Sequence, residues 1–438
     1  MRRFIAFIVL AIVVSWGRSL ADSSPIRLSL QQAIERARLV APRLKQLSSL
    51  AKAAEASTRA ASAGHWPSLN ASAGYTRNSG VPELVSTPPG GPPTTIFPNI
   101  PDNYRTRVEM NVPLFTGGKV SSTVDSARAL ESGARKDLTS GESDLTFETT
   151  RAYWDLVTAA ENQRVLKEAL QSYEAHLVDA KNRKRVGMAA TNEVLQVQVE
   201  RDQSELTLIR AQNARQVSEA NLRRILDYPS ASIEPADPLE TTLASPAAEE
   251  DLVARAFRNR PDRAALVSRW EAARAWVNVQ KSTYWPQLNA VGGYDYSNPN
   301  RKIAPPTAEF EDTWDVGVNM TMNLFEGGKT KANVDQARAQ AEALRQQLAD
   351  TDERIHFEVT SRLMNLQSAV AAFPVAERTV ESAKENVSVA RNRYRAGVIP
   401  SSELLDAETS ALRAGLSRAD VLARIHVAQA DLNRAVGD

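Results

Sequence analysis

The chain has 438 residues, a formal charge of +1 and no cysteine. A charge this near zero excludes a polyanion-binding balance, so nucleic acid is not an expected partner. An exported chain of this length without disulfides must be held by packing and assembly alone, and it has no cysteine to carry a lipid anchor.

In chain order, Arg2 and Arg3 precede an apolar run from Phe4 to Trp16, and Ser19-Leu20-Ala21 supplies small residues for cleavage. The run is about 13 residues long, short of the ~20 a membrane helix needs, so residues 1–21 read as a signal peptide. No later stretch is long and apolar enough to be a membrane helix, and mean hydropathy is −0.35. The mature protein is therefore soluble, or it enters a membrane as β-strands that hydropathy largely misses.

The rest of the chain contains itself twice. His65-Trp66-Pro67-Ser68-Leu69-Asn70-Ala71 recurs as Tyr284-Trp285-Pro286-Gln287-Leu288-Asn289-Ala290. Leu114-Phe115-Thr116-Gly117-Gly118-Lys119 recurs as Leu324-Phe325-Glu326-Gly327-Gly328-Lys329, and Val186-Gly187 recurs as Ala396-Gly397. Duplication on this scale predicts two copies of one structural unit, the first with the longer segment between Tyr75 and Val108. The expected organisation is a signal peptide at 1–21, one repeat at 22–226, a linker at 227–246 and a second repeat at 247–438.

Each repeat opens with helix, about Arg43 to Gly64 and about Asp262 to Ser282, followed by two strands. The strands fall at about 66–77 and 104–115, then at about 285–296 and 314–325. From Trp314 to Leu324 every even position is apolar and every odd one is polar or glycine. Val108, Met110, Val112 and Leu114 share one face of the earlier strand, with Arg105, Arg107, Glu109 and Asn111 on the other. Two hairpins of a soluble sandwich would give this alternation. Three features favour membrane strands: a length near the ~9–11 residues of a tilted bilayer-spanning strand, aromatics at both ends of the runs, and too few strands for a sandwich core. The aromatics are Trp66, Phe115, Tyr284, Trp285 and Phe325 at one end, and Tyr75, Tyr104, Tyr294, Tyr296 and Trp314 at the other. Four strands cannot close a barrel, and lipid tolerates no open edge, so several protomers must share one. The segment Pro82 to Pro101, rich in Pro, Gly and Thr, reads as an exposed loop at the first hairpin tip.

Long helices follow at about 118–185 and 328–395, with return helices at about 191–226 and 401–436. Leu145, Ala152, Leu156, Ala159, Leu166, Leu170, Tyr173 and Leu177 form a heptad seam on the first. About 68 residues at ~1.5 Å each make a rod on the order of 100 Å. The half-length return helices and the pre-strand helices, stacked end to end, would complete a tube wall. The proline-rich stretch Asp227 to Pro246 reads as an irregular connector.

No enzyme chemistry is predicted, and no cofactor. His65, His176, His356 and His426 lack ligand spacing, so no metal site is expected. Gly328-Lys329-Thr330 resembles the end of a phosphate-binding loop, but Asn323 stands where that motif needs glycine. Gly117-Gly118 and Gly327-Gly328 are better read as flexible strand-to-helix turns.

Taken together, the strand–helix hairpins, the paired Leu-Phe-x-Gly-Gly-Lys boundaries and the turns Val186-Gly187 and Ala396-Gly397, the latter followed by Glu403-Leu404-Leu405-Asp406-Ala407, resemble the TolC family of outer-membrane efflux channels. The resemblance runs from Leu28 to about Val436. It implies a mixed, mainly α fold: a homotrimer whose long coiled-coil hairpins form an α-barrel tunnel in the periplasm, and whose strands form one twelve-stranded transmembrane β-barrel. It also implies a place in the outer membrane of a Gram-negative bacterium, a periplasmic adaptor protein, and an inner-membrane pump of RND or ABC type that supplies the energy. Val186, Gly187, Met188, Ala396, Gly397 and Val398 fall on the helix tips that meet the adaptor. Glu193 and Tyr394 match members of the closing network, and Glu403 and Asp406 match an acidic pair that rings the aperture. Such a ring favours cations, whereas Glu403 considered alone also suits a helix N-terminus. The family's best-studied pattern has an arginine where this chain has Ile399-Pro400, so closure is expected to draw on Arg183, Arg185, Arg393 or Arg395 instead. A periplasmic coiled-coil adaptor without a pore is the competing reading. The scarcity of His and Met argues against a metal relay, and multidrug efflux and protein secretion stay open as tasks.

Overall fold

The structure, a computed structural model, describes residues 26–230, 232–240 and 247–438; the expected signal peptide and part of the connector lie outside them. The chain runs β1 (Ile26–Leu28), α1 (Leu30–Val40), α2 (Pro42–Ala63), β2 (Ser68–Arg77), β3 (Leu84–Ser86), β4 (Thr94–Phe97), β5 (Asp102–Phe115) and α3 (Lys119–Arg185). It continues as α4 (Thr191–Leu226), β6 (Ile233–Pro235), α5 (Glu249–Asn259), α6 (Pro261–Lys281), β7 (Gln287–Asn298), β8 (Glu311–Thr321), α7 (Lys329–Arg395) and α8 (Ser401–Val436). The helices pair by length: α3 and α7 have 67 residues each, α4 and α8 have 36. Proline opens α2 and α6, where a missing N–H costs nothing, while α7 runs straight through Pro374.

Contacts divide the chain into two compact units. The first comprises the described part of Met1–Val40, with Thr149–Thr241 and Val375–Ala423. Its helices bury the expected seam: Ala152, Leu156, Leu166 and Tyr173 are nearly inaccessible. At one end β1 pairs in parallel with β6, a contact inside the supposedly irregular connector. Tyr153 clamps this pairing: its hydroxyl donates to Asp237 Oδ2 at 2.8 Å and lies 3.0 Å from the Leu28 carbonyl. Burial pushes the phenol up to about 12. Asp237 also accepts from the Leu30 amide at 2.7 Å, satisfying one of the free donors at the start of α1.

The second unit comprises Ala41–Glu148, Thr242–Pro374 and Arg424–Asp438. It holds an antiparallel sheet in the order β2-β5-β7-β8. Alternation lines up residues across all four strands, so Ala71, Val108, Tyr294 and Trp314 form one row, and Leu69, Met110, Gly292 and Val316 another. Among the described residues nothing covers this apolar face: Leu69, Trp314, Val316 and Met320 are 71%, 74%, 78% and 69% exposed. Among the described residues no second sheet packs on it, as the facing layer of a sandwich would. Beside it, α6 packs against both long helices. Val277 meets Val334, Ala337 and Ala341 of α7, and Ser126 of α3 donates to the Ala272 carbonyl at 3.0 Å.

Two expectations need correction, and two helices are new. The last strand was expected to reach residue 325 but ends at Thr321, because its one partner, β7, begins at Gln287, which pairs with Thr321. The segment Pro82 to Pro101 is not wholly loop, since β3 and β4 pair within it. Helices α1 and α5, short and outside the repeated motifs, have no counterpart in the sequence reading.

Candidate gate at the helix tips

Both helical hairpins turn on a glycine with a left-handed backbone. Gly187 has φ 78° and Gly397 has φ 77°, a region that only glycine enters without strain. Around each, the same two bonds close the helix end. The Met188 amide reaches the Arg183 carbonyl at 2.8 Å and Gly187 reaches Lys184 at 3.0 Å; Val398 reaches Arg393 and Gly397 reaches Tyr394, both at 2.9 Å. This double bond satisfies carbonyls that a helix end otherwise leaves free. Val186, Met188 and Val398 project from the turns as exposed apolar side chains, and Ala396 and both glycines are exposed as well.

Behind the second turn Tyr394 is buried among Ala390, Ile399, Leu404 and Ala407. Arg183, from the first hairpin, donates to the Tyr394 carbonyl and lays its guanidinium 4.7 Å from the ring centre. Burial raises the phenol pKa. Ile399, where the resemblance implied an arginine, sits inside this cluster and is 6% exposed, so the contact here is apolar. Arg393 pairs with Glu403 at 3.3 Å and Arg395 with Asp179 at 3.7 Å, both in solvent. Asp406 lines an open cleft of about 500 Å³ with Asn192, Leu195, Gln196, Val199 and Leu405. Glu193 lies in the first turn of α4, where an acid suits the helix end. Thus Tyr394 and Arg183 come together, as do Glu403 and Arg393. Glu193 makes no hydrogen bond or ion pair among the described residues.

Two constellations escaped the sequence reading. On the polar face of the sheet, Arg107 of β5 reaches Asp295 of β7 at 2.5 Å and Asp315 of β8 at 3.0 Å. Lys302, from the β7–β8 loop, bridges the same two acids at 2.9 and 2.6 Å. Gly293 leaves room for it, since a Cβ there would overlap the Arg107 guanidinium. Strand register alone exposes the pair, because Arg107 stands directly opposite Asp295. The other constellation, around His176 and Glu408, joins residues far apart in the chain and had no local signal.

At the strand–helix boundaries Gly117 and Gly118 have φ 60° and 83°, Gly327 and Gly328 58° and 85°. The matching φ values make the two boundaries turns of one shape. Among the described residues no His, Cys, Asp and Glu group has metal-binding geometry, and no helix is long and apolar enough to cross a membrane.

The model of the outer membrane efflux protein family matches residues 33–227 and 252–438. The chain is 23% identical over 289 residues to outer membrane protein TolC of Vibrio cholerae, covering 65% of this chain and 66% of that one, just short of two thirds of the relative's length. It is 22% identical to the cobalt-zinc-cadmium resistance protein CzcC of Cupriavidus metallidurans, covering 84% of this chain and 88% of that one. The fold matches the solved outer membrane protein VceC of Vibrio cholerae with a TM-score of 0.78 and 21% identity, over 93% of this chain and 96% of that one. With its family model matched across both halves, the chain belongs to the outer membrane efflux protein family.

Proposed function

We propose that this chain is the outer-membrane exit duct of a tripartite efflux or secretion system, a passive conduit fed by an inner-membrane pump through a periplasmic adaptor. The observation that carries it is the uncovered apolar face of the sheet, whose outer strands β2 and β8 each have one unpaired edge. In lipid such edges must be closed. Three copies of four strands make one twelve-stranded barrel, each chain giving two quasi-equivalent repeats, 22–226 and 247–438, with linker 227–246. The tips at Val186-Gly187-Met188 and Ala396-Gly397-Val398 are the adaptor-contacting surface. Glu403 and Asp406, repeated around a threefold axis, form an acidic ring, with Glu193 and Tyr394 in the closing network. No cofactor or catalysis is assigned.

Fractionation tests the duct: a detergent-resistant trimer in the outer membrane that forms ion channels in planar bilayers supports it. Free release from the periplasm without channel activity would favour the pore-less adaptor. The acidic ring has its own test. Glu403→Ala with Asp406→Ala is expected to lower cation selectivity, and unchanged conductance and selectivity would overturn the ring. Cross-linking from Gly187→Cys and Gly397→Cys in cells is expected to capture the adaptor.

A further inference from the structure

Behind the tip, α3 meets α7 and α8 through a polar network whose centre is buried and whose rim, at Arg391, is open to solvent. His176 is 3% exposed, Ser401 0% and Glu408 6%. His176 Nδ1 lies 3.1 Å from Glu408 Oε2, and its Nε2 lies 3.0 Å from Ser401 Oγ. The other carboxylate oxygen accepts from Ser172 Oγ at 2.7 Å and stands 3.5 Å from Arg391, which also donates to Ser172 at 2.8 Å. The neighbouring Tyr173 and Thr409 hydroxyls bond across the same interface at 3.1 Å.

Nδ1 faces one Glu408 carboxyl oxygen and Nε2 faces the Ser401 hydroxyl, while Ser172 holds the other oxygen, so every polar atom of the buried pair has a partner. Serine, histidine and glutamate in this order resemble a hydrolytic triad. The serine, however, is fully buried at the start of α8, out of reach of any substrate. The arrangement holds helices together. Ser401 and Glu408 lie two turns apart on one face of α8, so His176 grips the return helix immediately beyond its tip turn. His176 also stacks edge-on against Tyr394, with ring centres 5.0 Å apart.

The duplicated positions hold no such pair. In the register that matches Phe115 with Phe325 and Gly187 with Gly397, His176 corresponds to Asn386 and Glu408 to Gln198. The charge and the ring are thus confined to one of the two quasi-equivalent positions. We propose that His176 and Glu408, closed by Ser401, Ser172 and Arg391, form a buried latch that holds α8 to α3 and keeps the tip in its present arrangement. Moving the α7–α8 tip away from α3 breaks this network and strands a carboxylate. The latch rests on the duct and gate reading given above and names what regulates that gate.

The test substitutes at each position the residue that the other copy carries there, His176→Asn after Asn386 and Glu408→Gln after Gln198, in the full-length trimer. Single channels are recorded in planar bilayers. Each single variant is expected to raise open probability on the order of tenfold, and the double variant no further, because either change breaks the same contact. Trimer melting in detergent is followed in parallel, since a merely structural pair would lower it without changing gating. Ser401→Ala, a milder change, is expected to raise open probability by a smaller factor and covers the case in which the other variants fail to assemble. Unchanged gating in assembled variants, or effects that multiply, would overturn the latch. A wild type that forms no channel overturns both the duct and the latch. Gating that responds to the pair, with conductance and cation selectivity unchanged in the Glu403→Ala/Asp406→Ala variant, leaves the latch standing and removes the acidic ring.

Discussion

The two helix tips share a backbone and differ in what stands behind it. Both turns use glycine near φ 78° and the same pair of closing bonds. Yet behind Gly397 sits a buried tyrosine wrapped by Ile399 and Leu404, while in the first hairpin the matching position is exposed Lys184, beside the buried Ala180, Val194 and Val197. A duplicated turn thus keeps its shape through one residue type, and its mobility is decided by a few side chains elsewhere.

The largest break in that comparison should come from Tyr394→Ala. Emptying a buried aromatic site costs about 3–5 kcal/mol. Hydrogen exchange on the assembled protein is expected to rise sharply across the α7–α8 tip. Met188→Ala at the other tip, already exposed, is expected to change exchange little. Next come the glycines themselves. A left-handed alanine costs roughly 1–2 kcal/mol at either position, so Gly187→Ala and Gly397→Ala should both loosen their turns. The second should do more, because a Cβ there meets Arg183 at 3.3 Å whereas Gly187 faces open space. Equal effects measured by limited proteolysis would argue that Arg183 yields freely.

Alkaline pH separates the tips more gently. The Tyr394 phenol is raised above its ordinary 10.0 in the folded protein. Its contribution is therefore complete below pH 10 and is lost as pH rises through the higher folded value. The α7–α8 tip should loosen there, the α3–α4 tip should not, and Tyr394→Phe should abolish the difference in pH-dependent hydrogen exchange. The smallest effect belongs to Glu403→Ala as a stability change. Its pair with Arg393 is half exposed on both sides, and such pairs contribute about 0–1 kcal/mol, less in salt.

The long elements were legible because each is governed by local rules. The heptad seam, the period-2 alternation and the glycine turns locate α3, α4, α7, α8 and the sheet strands to within a few residues. What failed was set by partners. β8 ends where β7 begins, and β1 finds β6 across most of a repeat. The short ribbon of β3 and β4 lies between prolines, where no periodicity can develop. At the tips, the sequence singled out Tyr394, Glu403 and the arginines through resemblance. It was silent on His176 and Glu408, which lie 232 positions apart and meet only after two hairpins have packed. Burial of a polar pair is a property of the assembly of helices, and no window along the chain contains it.

The apolar setting of Ile399 has a thermal consequence. Ion pairs at the surface answer to ionic strength, whereas apolar burial is driven mainly by water entropy near room temperature and weakens on cooling. The share of the tip's hold that Tyr394, Ile399 and Leu404 supply should therefore be nearly indifferent to salt and weaken in the cold, with a heat-capacity signature that the polar contacts beside it lack.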